Sequence, residues 1–411
     1  MRDFTIHSQT LQRHFQKSDF ASKIWLVEPD DKDNIIMESQ RIATTGFKTV
    51  SLQFNKINGK AVFRLASLPQ ALLTRHVSES IRQITNVHQS DRNSIIRSIL
   101  QLLSEGISFN VIKMDIKSFY ENINVENTIK SLKSDPVFSR QSIFVLESFF
   151  SALKRQHILG LPRGIGLSAT LAEYVMRGFD REVSTYPNIR YYNRYVDDAI
   201  IITTSDIDPE KFLDDAKNIL PQGLNFNERK TKIYKFSNYS KKSSTHAEHT
   251  INFLGYKITV DEICYKNKKF LREISIDIAD SKVSRTKRRL AKIFLDYNNK
   301  GNFDDLLNRI KIITSNYGYE DESSGMWRYS GLRYNYGLIN PQQSDALKSL
   351  DKFMINTLTS KHPNNRIRPN ISSSQRHQLL GLRFSTGFTK NRFFTFKRDH
   401  LIHLIGCWAY A

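Results

Sequence analysis

Apolar positions follow a helical period in some stretches of the chain and a strand-like pattern in others. They recur with helical spacing between residues 66 and 104, and again from Val283 toward the end. Such spacing predicts amphipathic helices with one buried face. Residues 109–116, FNVIKMDI, alternate instead and predict a strand that ends at Asp115. The pattern therefore predicts helical segments around at least one central strand.

Two segments predict β-hairpins. Residues 51–64 contain an Asn-Gly pair at 58–59, a strong signal for a two-residue turn. In residues 192–203, YNRYVDDAIIIT, aromatic and β-branched residues flank Asp197 and Asp198, which predicts a second hairpin with two carboxylates at its tip. Burying two carboxylates together is costly unless a cation neutralises them. A lone Asp-Asp turn is more often a solvated acidic turn, so other residues must decide.

Composition narrows the class of protein. Of the 411 residues, 39% are hydrophobic and 25% charged, the balance of a globular protein with room for two or three domains. No apolar run reaches the length of a membrane span, and the N-terminus, MRDFTIHSQT, has no signal-peptide core. Cys264 and Cys407 are the only cysteines, so we expect a cytoplasmic chain without a disulfide framework or Cys-rich zinc module.

Charge is the feature that indicates a partner. The net charge is +20, and residues 281–411 hold 22 Lys and Arg against 9 Asp and Glu, a local balance of +13. A basic surface of this size is typical of proteins that bind a polyanion, and nucleic acid is the leading candidate. The alternative is a generally basic, solvated surface.

Candidate chemical groups follow the predicted elements in a fixed order. Asp115 ends a buried strand, where active sites tend to gather in α/β sheets, and Tyr120 follows it closely. The loop LGLPRGIGLS at 159–168 precedes a helix that Ser168 is expected to cap. The Asp-Asp hairpin comes next, and Lys230 begins a further strand. Each feature alone has a plain structural role open to it, since lone acids are more often structural than catalytic and most glycine-rich loops are only turns.

Taken in this order, the motifs resemble the palm of a reverse transcriptase. They are the strand ending in Asp, the Pro-x-Gly loop, the Tyr-x-Asp-Asp hairpin, the Asn…Lys strand start and Phe-Leu-Gly-Tyr. The resemblance implies an α+β right-hand polymerase: fingers, a palm whose antiparallel sheet bears the YVDD hairpin, and a mostly helical, basic thumb. We accordingly expect an N-terminal extension at 1–60, fingers and palm at 61–260, and a helical thumb and C-terminal nucleic-acid-binding region at 261–411.

The resemblance assigns the acids to metal binding. Asp115 and Asp197 are then the shared ligands of two Mg²⁺ ions, with Mn²⁺ as a substitute. Asp198 is the weaker third acid, and the Ile116 carbonyl is a further ligand. Phosphoryl transfer to a 3′-hydroxyl uses two divalent ions about 4 Å apart, and Mg²⁺ prefers hard carboxylate oxygens. Lys230 corresponds to the lysine near the leaving pyrophosphate, a candidate general acid.

The resemblance also implies residues that bind the incoming nucleotide. Tyr120 corresponds to the steric gate, whose ring excludes a ribose 2′-hydroxyl and so favours deoxynucleotides. Arg163 and Gly164 belong to the motif that supports the templating base and nucleotide. Retroviral enzymes usually have Gln at the position of Arg163, and an arginine there offers an added contact to phosphate or base. Arg92 and Arg97 match the finger region that meets the triphosphate.

Two further stretches are expected to contact nucleic acid. Phe253, Leu254, Gly255 and Tyr256 correspond to the primer grip. Aromatic side chains that can stack bases interleave with arginines that can hold phosphates in the C-terminal region. These residues are Tyr317, Trp327, Tyr329, Tyr334 and Tyr336, with Arg328 and Arg333. The alternative for each aromatic is packing in the core of the thumb.

Stretches such as DIKSFYENIN and GLPRGIGLSATLAEYVM are similar to bacterial reverse transcriptases of the abortive-infection and unknown-group class, which act in antiphage defence. The size and the basic helical end are similar to those of the smaller polymerase of a type 3 system, which pairs two reverse transcriptases with a non-coding RNA. The implied partners are a template RNA (a dedicated non-coding RNA), the DNA product, dNTPs, and a second reverse transcriptase or another copy of the chain.

Other functions stay open at this point. One is a DNA polymerase of the abortive-infection type that works without a template or from a protein hydroxyl primer. Another is a reverse transcriptase of the retron or group II intron type. A third is a non-enzymatic RNA-binding scaffold, against which the three converging acids argue, because a scaffold has no need of them.

Overall fold

The computed structural model describes residues 3–22, 28–57, 59–237, 249–266, 269–321, 326–360 and 367–408. The chain forms two compact units. The first comprises residues 1–99 and 106–241, and the second comprises residues 100–105 and 242–411. The expected division into an extension, a fingers and palm domain and a thumb stays a prediction, because compactness alone does not assign those roles.

Helices dominate the chain up to residue 241. They are α1 (Ser8–Gln12), α2 (Lys17–Ser22), α3 (Pro29–Thr45), α4 (Leu68–Thr85), α5 (Arg92–Leu103), α6 (Phe119–Asn122), α7 (Val125–Ser134), α8 (Arg140–Arg155), α9 (Gly166–Thr185) and α10 (Pro209–Asn218). The helices α4 and α5 confirm the helical prediction for residues 66–104. The buried side chains of Ile95, Ile96 and Ile99 form the inner face of α5.

The strands of this part of the chain form a hairpin and a larger sheet. They are β1 (Leu52–Ile57), β2 (Lys60–Leu65), β3 (Phe109–Asp115), β4 (Ile189–Tyr195), β5 (Asp198–Thr204) and β6 (Lys232–Phe236). β1 and β2 pair antiparallel, which confirms the hairpin predicted over 51–64, although Asn58 lies outside the described residues. The other four strands form an antiparallel sheet in the order β4-β5-β3-β6.

The strand β3 lies in the interior of this sheet, between β5 and β6. All its residues except Lys113 are buried, so the expected alternation of exposed and buried positions was wrong. Ile112 and Met114 join the main core of the first unit, while Phe109 packs against Phe236 of β6 with ring centroids 4.7 Å apart. Continuous burial of this kind is typical of a central strand that is covered on both faces.

The second unit contains helices and two small sheets. Its strands are β7 (His249–Phe253), β8 (Tyr256–Lys266), β9 (Lys269–Ile278), β10 (Asn316–Asp321), β11 (Met326–Gly331) and β12 (Phe393–Phe396). Its helices are α11 (Asp280–Lys300), α12 (Phe303–Thr314), α13 (Leu332–Asn335), α14 (Asp345–Thr359), α15 (Ser373–Leu380), α16 (Phe384–Thr389) and α17 (Arg398–Gly406). β7, β8 and β9 form one antiparallel sheet, and β11, β10 and β12 form the other, in that order.

The C-terminal region is helical, as expected, but it also contains the sheet β11-β10-β12. Its outer strand β12 comes about 70 residues after β10 and pairs with it in parallel, so sequence-local patterns do not reveal it. The helix-rich units, whose sheets are antiparallel except for the pair β10 and β12, agree with the predicted α+β class. In the part of the chain that the structure describes, no helix has the length and apolar character needed to cross a membrane.

Candidate active site

The two acid-bearing segments meet in the sheet β4-β5-β3-β6. β3 and β5 pair in a register that places Asp115 opposite Asp198. Tyr195 pairs with Asp198, so Val196 and Asp197 form a two-residue turn between β4 and β5. Both acids were expected at the hairpin tip, but Asp198 already begins β5 and only Asp197 lies in the turn. Carboxylates from the end of one strand and the adjacent turn therefore come together.

Backbone contacts hold this turn against β3. The Ile116 amide donates a hydrogen bond to the Asp197 carbonyl at 2.9 Å. Val196 has a φ of +60°, in the left-handed region that β-branched residues rarely adopt. Positive φ at the first of the two central residues is the pattern of a type II′ turn, where glycine is usual. The turn is thus strained locally and depends on its surroundings, as is common at functional sites.

Asp115 is a buried acid with two side-chain partners. The residue is 4% exposed, and its Oδ1 accepts a hydrogen bond from the Lys230 ammonium at 2.8 Å. Its Oδ2 accepts from the Asn227 side-chain amide at 3.1 Å. The Asn227 backbone amide also donates to the Asp115 carbonyl at 2.7 Å. The expectation that Lys230 begins a strand was wrong, since β6 begins at Lys232 and the Asn…Lys segment precedes it. From there the segment reaches the acid at the end of β3.

Asp198 carries the clearest electrostatic signature of the site. Burial and, to a lesser extent, the neighbouring carboxylates of Asp197 and Asp115 raise its pKa to about 6, against the opposing charges of Lys113 and Lys230. The Lys113 ammonium lies 3.9 Å from Asp198 Oδ1. A cation at this position would stabilise the ionised form of Asp198 beside its two carboxylate neighbours.

Tyr120 lies beside this site in α6, and the ion pair of Arg163 with Glu121 lies against its ring. The Arg163 guanidinium lies 4.9 Å from the centre of the Tyr120 ring. Arg163 also donates two hydrogen bonds to the Glu121 carboxylate, at 2.7 and 2.9 Å. Burial raises the pKa of the Tyr120 phenol, and the charges of Glu173 and Asp197 raise it further. Arg163 thus fixes the ring of Tyr120 through its own ion pair.

Gly164 is needed where the glycine-rich loop meets the hairpin β1-β2. The Phe63 amide donates to the Arg163 carbonyl at 2.7 Å, which brings the loop against β2. Gly164 has a φ of +93°, and a Cβ there would lie 2.5 Å from the Phe63 carbonyl oxygen. Both the backbone conformation and the close approach therefore require glycine.

The expected cap at Ser168 was wrong. α9 begins at Gly166 with Ile165 as its N-cap residue, so Ser168 lies inside the first turn. Its hydroxyl is buried and has no hydrogen-bond partner among the described residues. The loop ends earlier than the serine signal suggested, because Gly166 and Leu167 already have helical conformation.

Comparison with known proteins decides the family. Residues 48–258, which are 211 of the 411, match the family described as reverse transcriptase (RNA-dependent DNA polymerase). The chain belongs to the reverse transcriptase family. This match agrees with the α+β palm and fingers that were predicted.

One solved structure similar to this reverse transcriptase is apo telomerase from Candida tropicalis, truncated from its C-terminal domain. The two are 15% identical, with a TM-score of 0.32, over 51% of this chain and 53% of that one. The chain thus spans about half the length of the telomerase structure. No curated protein matches the chain.

Beneath the turn of this reverse transcriptase lies a buried ion network that sequence reasoning does not single out. Arg194, 6% exposed, donates to the Val196 carbonyl at 2.9 Å. It also pairs with the carboxylates of Glu173 and Asp180, at 2.6 and 2.7 Å. The Tyr192 hydroxyl donates to Asp180. The signal available in sequence is the two-turn spacing of the two acids on α9.

The pKa values in this network follow from burial and pairing. Burial alone would lower the pKa of Arg194, but hydrogen bonds and charges from Asp180 and Glu173 outweigh it and raise that pKa. Burial raises the pKa of Glu173, with Arg194 opposing. Arg194 is therefore a permanent cation whose bond to Val196 fixes the turn that carries Asp197.

Arg92 and Arg97 lie on the first two turns of α5. Arg92 is half-buried and Arg97 is exposed. The Asp91 carboxylate accepts a hydrogen bond from the Ser94 amide at 2.7 Å and so caps this helix. The structure thus places both arginines on one short helical stretch of the first unit, and their contact with a triphosphate stays a prediction.

The segment predicted as a primer grip forms the turn between β7 and β8. Phe253 and Tyr256 are buried in the second unit. Leu254 and Gly255 form the two-residue turn, both with positive φ. The Gly255 carbonyl accepts a hydrogen bond from the Ala279 amide at 3.0 Å. A primer at this turn would meet its backbone and not the two aromatic rings, and the assignment stays a prediction.

The donor set fits a hard divalent cation. Carboxylate oxygens from Asp115, Asp197 and Asp198 are the ligands that Mg²⁺ prefers, and the Lys230 ammonium already occupies a cation position against Asp115. Members of the family generally use divalent metal ions. Among the described residues, no group of three or more His, Cys, Asp or Glu side chains is positioned as a ready ion cage. The acids are thus near one another but not yet gathered around one point.

Proposed function

We propose that this reverse transcriptase copies RNA into DNA at the palm carboxylates, with two Mg²⁺ ions as cofactors and Mn²⁺ as a substitute. The observation that carries the proposal is the register that places Asp115 opposite Asp198, with Asp197 in the adjoining turn. Metal binding accounts for three neighbouring acids of which one has its pKa raised to about 6 by burial and by the other two.

Asp115 and Asp197 would hold both ions, with Asp198 as the weaker acid and the Ile116 carbonyl as a further ligand. The ions would supply a low-pKa 3′-hydroxyl nucleophile and a counter-charge for the triphosphate. The chain's own contribution is to fix the acids. Ile116 donates to the Asp197 carbonyl, and Asn227 donates to the Asp115 side chain. These contacts keep the carboxylates oriented before substrate binds.

Lys230 would serve the leaving pyrophosphate. Its hydrogen bond to Asp115 raises its pKa, which makes it a stable cation in the arrangement described here. Its side chain is more than half exposed, so it can turn from Asp115 toward a phosphate oxygen. From that position its ammonium could donate a proton to the leaving group.

Tyr120 would exclude ribonucleotides. The ring is held by the Arg163 guanidinium, which Glu121 fixes in turn. A steric gate excludes ribonucleotides only if its ring cannot move away. The contact of Arg163 with Tyr120 therefore supports the proposed selectivity for dNTPs. Arg163 and Gly164 would support the nucleotide and templating base through this same packed loop, and Arg92 and Arg97 would bind the triphosphate.

We further propose the biological setting implied by the sequence. The chain would be a cytoplasmic, bacterial reverse transcriptase of the abortive-infection and unknown-group class, acting in antiphage defence with a dedicated non-coding RNA. Its size and basic C-terminal region, with +13 net charge over residues 281–411, suit the smaller polymerase of the type 3 system. Its protein partner would be a second reverse transcriptase or another copy of the chain.

The test uses the full chain purified with the nucleic acid it carries. Mg²⁺ and labelled dNTPs or NTPs are added one at a time, before and after RNase treatment, and products are sequenced. DNA made only with intact RNA, and complementary to it, is the expected result. DNA made after complete RNase digestion, with label retained on protein in denaturing gels, would overturn the templated proposal in favour of protein priming. Incorporation of NTPs alone would overturn the assignment of Tyr120.

A further inference from the structure

The sheet β11-β10-β12 of the second unit has two unlike faces. Residues directly opposite each other on neighbouring strands share a face, and the face alternates along each strand. Tyr329 lies opposite Gly318, and Phe393 lies opposite Asn316 on the other side of β10. Trp327, two residues before Tyr329, is on the same face. We name this face, defined by Trp327, Tyr329 and Phe393, the aromatic face.

The rings of the aromatic face form an exposed row. Trp327, Tyr329 and Phe393 are 47%, 51% and 46% exposed. The Trp327 and Tyr329 rings are nearly parallel, at 16°, with centroids 6.4 Å apart. The Phe393 ring lies 5.9 Å from that of Tyr329. Rings that already lie side by side across three strands offer flat surfaces to successive planar groups without further ordering.

Gly318 at the centre of the sheet shows how the row is built. A Cβ at this position would lie 2.7 Å from the Phe393 ring and 3.1 Å from the Tyr329 ring. The two rings therefore lean over the middle strand from both sides and cover the backbone there. Gly318 is buried, although it faces the exposed side of the sheet, because these rings shield it.

The opposite face has the ordinary role of a sheet in a core. Tyr317 and Phe396 contact each other there, with ring centroids 6.4 Å apart. The Lys311 ammonium of α12 lies 5.4 Å from the centre of the Phe394 ring. The helices α12 and α17 pack against β10. The sheet thus uses one face to join the second unit and leaves its aromatic face to solvent.

Charge around the aromatic face favours a polyanion. Lys390 and Lys397 are exposed and flank β12 at its two ends. Residues 281–411 carry +13 of the chain's net charge of +20. Glu320 is an exposed acid on the same face, opposite Trp327, so phosphates are expected beside the two lysines and not over that corner. Flat rings with cations at the margin suit bases and phosphates together.

We propose that the aromatic face binds a single-stranded segment of RNA by stacking unpaired bases on Trp327, Tyr329 and Phe393. The choice of RNA over DNA rests on the proposed template-copying activity. DNA made on an RNA template is paired as it forms, so the unpaired bases that the enzyme meets belong to RNA not yet copied. A duplex would present only its edges and backbone to a flat exposed sheet. The occupant is therefore single-stranded RNA, in contact with rings that recognise base planes and not sequence.

The test measures binding of the full chain to a short, unstructured RNA oligonucleotide, without metal or nucleotides. Anisotropy of labelled RNA gives Kd, and tryptophan fluorescence reports stacking directly. We expect Trp327→Ala to weaken binding by about tenfold or more, and Trp327→Ala/Tyr329→Ala/Phe393→Ala by a larger factor, since base–aromatic stacking is worth about 1–3 kcal/mol per base. RNA should quench wild-type fluorescence, and Trp327→Phe should remove that quenching but keep most of the affinity.

Matched variants separate base stacking from plain apolar contact. Ile402→Ala, at a side chain of similar exposure (52%) in the same unit, should bind RNA like wild type. Trp327→Leu/Tyr329→Leu/Phe393→Leu keeps apolar side chains but not the rings, so this Leu variant should bind RNA like the Ala variant. Wild-type RNA binding by the Leu variant would overturn the proposal, because it would show that base stacking on the rings is not needed. Tighter binding of single-stranded DNA or of duplex RNA would equally overturn it.

The binding test is independent of catalysis. Asp197→Ala/Asp198→Ala should bind the oligonucleotide like wild type, so loss of DNA synthesis in that variant and loss of RNA binding in the ring variants are separate results. If DNA synthesis proved absent while ring-dependent binding persisted, the surface would stand and the proposed activity would fall. If the Ala and Leu variants kept the wild-type Kd and melting temperature, RNA binding by the aromatic face would be refuted, while the proposed DNA synthesis would not be affected.

Discussion

Two hairpin turns in this chain both contain backbone at positive φ, but different types of residue occupy those positions. The turn between β4 and β5 has Val196 at a φ of +60°, while the turn between β7 and β8 has Leu254 and Gly255 at +46° and +84°. In the second turn, glycine takes the more extreme position at little steric cost. In the first, a β-branched residue takes a conformation that it disfavours.

This difference between the two turns shows where backbone strain is concentrated in the molecule. The Val196–Asp197 turn is held by tertiary contacts, namely Arg194 on the Val196 carbonyl and Ile116 on the Asp197 carbonyl. The Leu254–Gly255 turn has φ values that match a type I′ turn, and glycine occupies one of its two positive-φ positions while Leu254 occupies the other. The turn with the β-branched residue carries the proposed catalytic acid, and the glycine-containing turn does not.

The largest effect that separates the two turns is expected at Asp197. Asp197→Asn keeps the size of the side chain but removes a metal-ligand charge, so DNA synthesis should fall by about three orders of magnitude or more. Stability should change by less than about 0.5 kcal/mol, since the side chain is only partly buried in a turn. Single-nucleotide addition rates and thermal melting measure the two quantities.

The control for Asp197 is Asp206→Asn, an exposed acid just beyond β5, which should retain wild-type rates. Equal losses in the two variants would show that general negative charge near the sheet, and not a ligand position, is what matters.

The next largest effect is expected from Arg194→Met. Removing the cation leaves the carboxylates of Glu173 and Asp180 without their partner, so the free energy of unfolding should fall by about 3–5 kcal/mol. Synthesis should fall too, because the Val196 carbonyl loses its donor. Arg194→Lys should not restore the rate, since one ammonium cannot match the forked geometry. Urea unfolding and nucleotide addition are the measurements.

A compensated variant distinguishes positioning from plain stability in this network. Arg194→Met/Glu173→Gln/Asp180→Asn removes the buried charges together and should recover most of the lost stability, but not the rate. Recovery of both quantities would show that Arg194 has no role in positioning the turn.

A smaller effect on stability is expected at the turn between β7 and β8. Gly255→Ala places a side chain at a φ of +84° and should lower the free energy of unfolding by about 1–2 kcal/mol. Gly178→Ala, in the middle of α9 with open space around its Cα, should instead raise it by about 0.5–1 kcal/mol. Thermal melting of both variants checks the opposite signs. Equal shifts would mean that φ does not determine the requirement for glycine at Gly255.

The last effect appears only at acidic pH and concerns a contact between two histidines in the first unit. His14 Nε2 lies 3.2 Å from His76 Nδ1, and burial, with the charge of His76, lowers the pKa of His14 to about 4. The unfolded chain binds this proton near pH 6.5, so stability should be full above that pH and fall progressively between pH 6.5 and about 4. Urea midpoints at several pH values measure the slope, which His14→Gln should reduce. An unchanged slope in that variant would contradict the assignment.

The order of elements in the first unit was predictable because the decisive signals are local. One strand follows from the apolar run that ends at Asp115, and two more follow from the aromatic and β-branched residues on either side of the Asp-Asp pair. The helical spacing of residues 66–104 determines two helices. The family match over residues 48–258 confirms the interpretation of those motifs taken together.

The rest was not predictable because it depends on contacts between distant residues. Arg194 meets Asp180 and Glu173 only after α9 packs on β4, and no local pattern shows that an arginine will be buried. The parallel pairing of β10 with β12 joins segments that are far apart in sequence. Helical spacing in the C-terminal region was real, but it hid the short strands between the helices.

The most direct test of RNA-templated DNA synthesis at the palm carboxylates is single-nucleotide addition to a DNA primer on a defined RNA template, with the template base varied. We expect the wild-type chain with Mg²⁺ to add the dNTP complementary to each template base, and Asp115→Asn to add none. Addition of the same nucleotide whatever the template base, or undiminished addition by Asp115→Asn, would contradict this expectation.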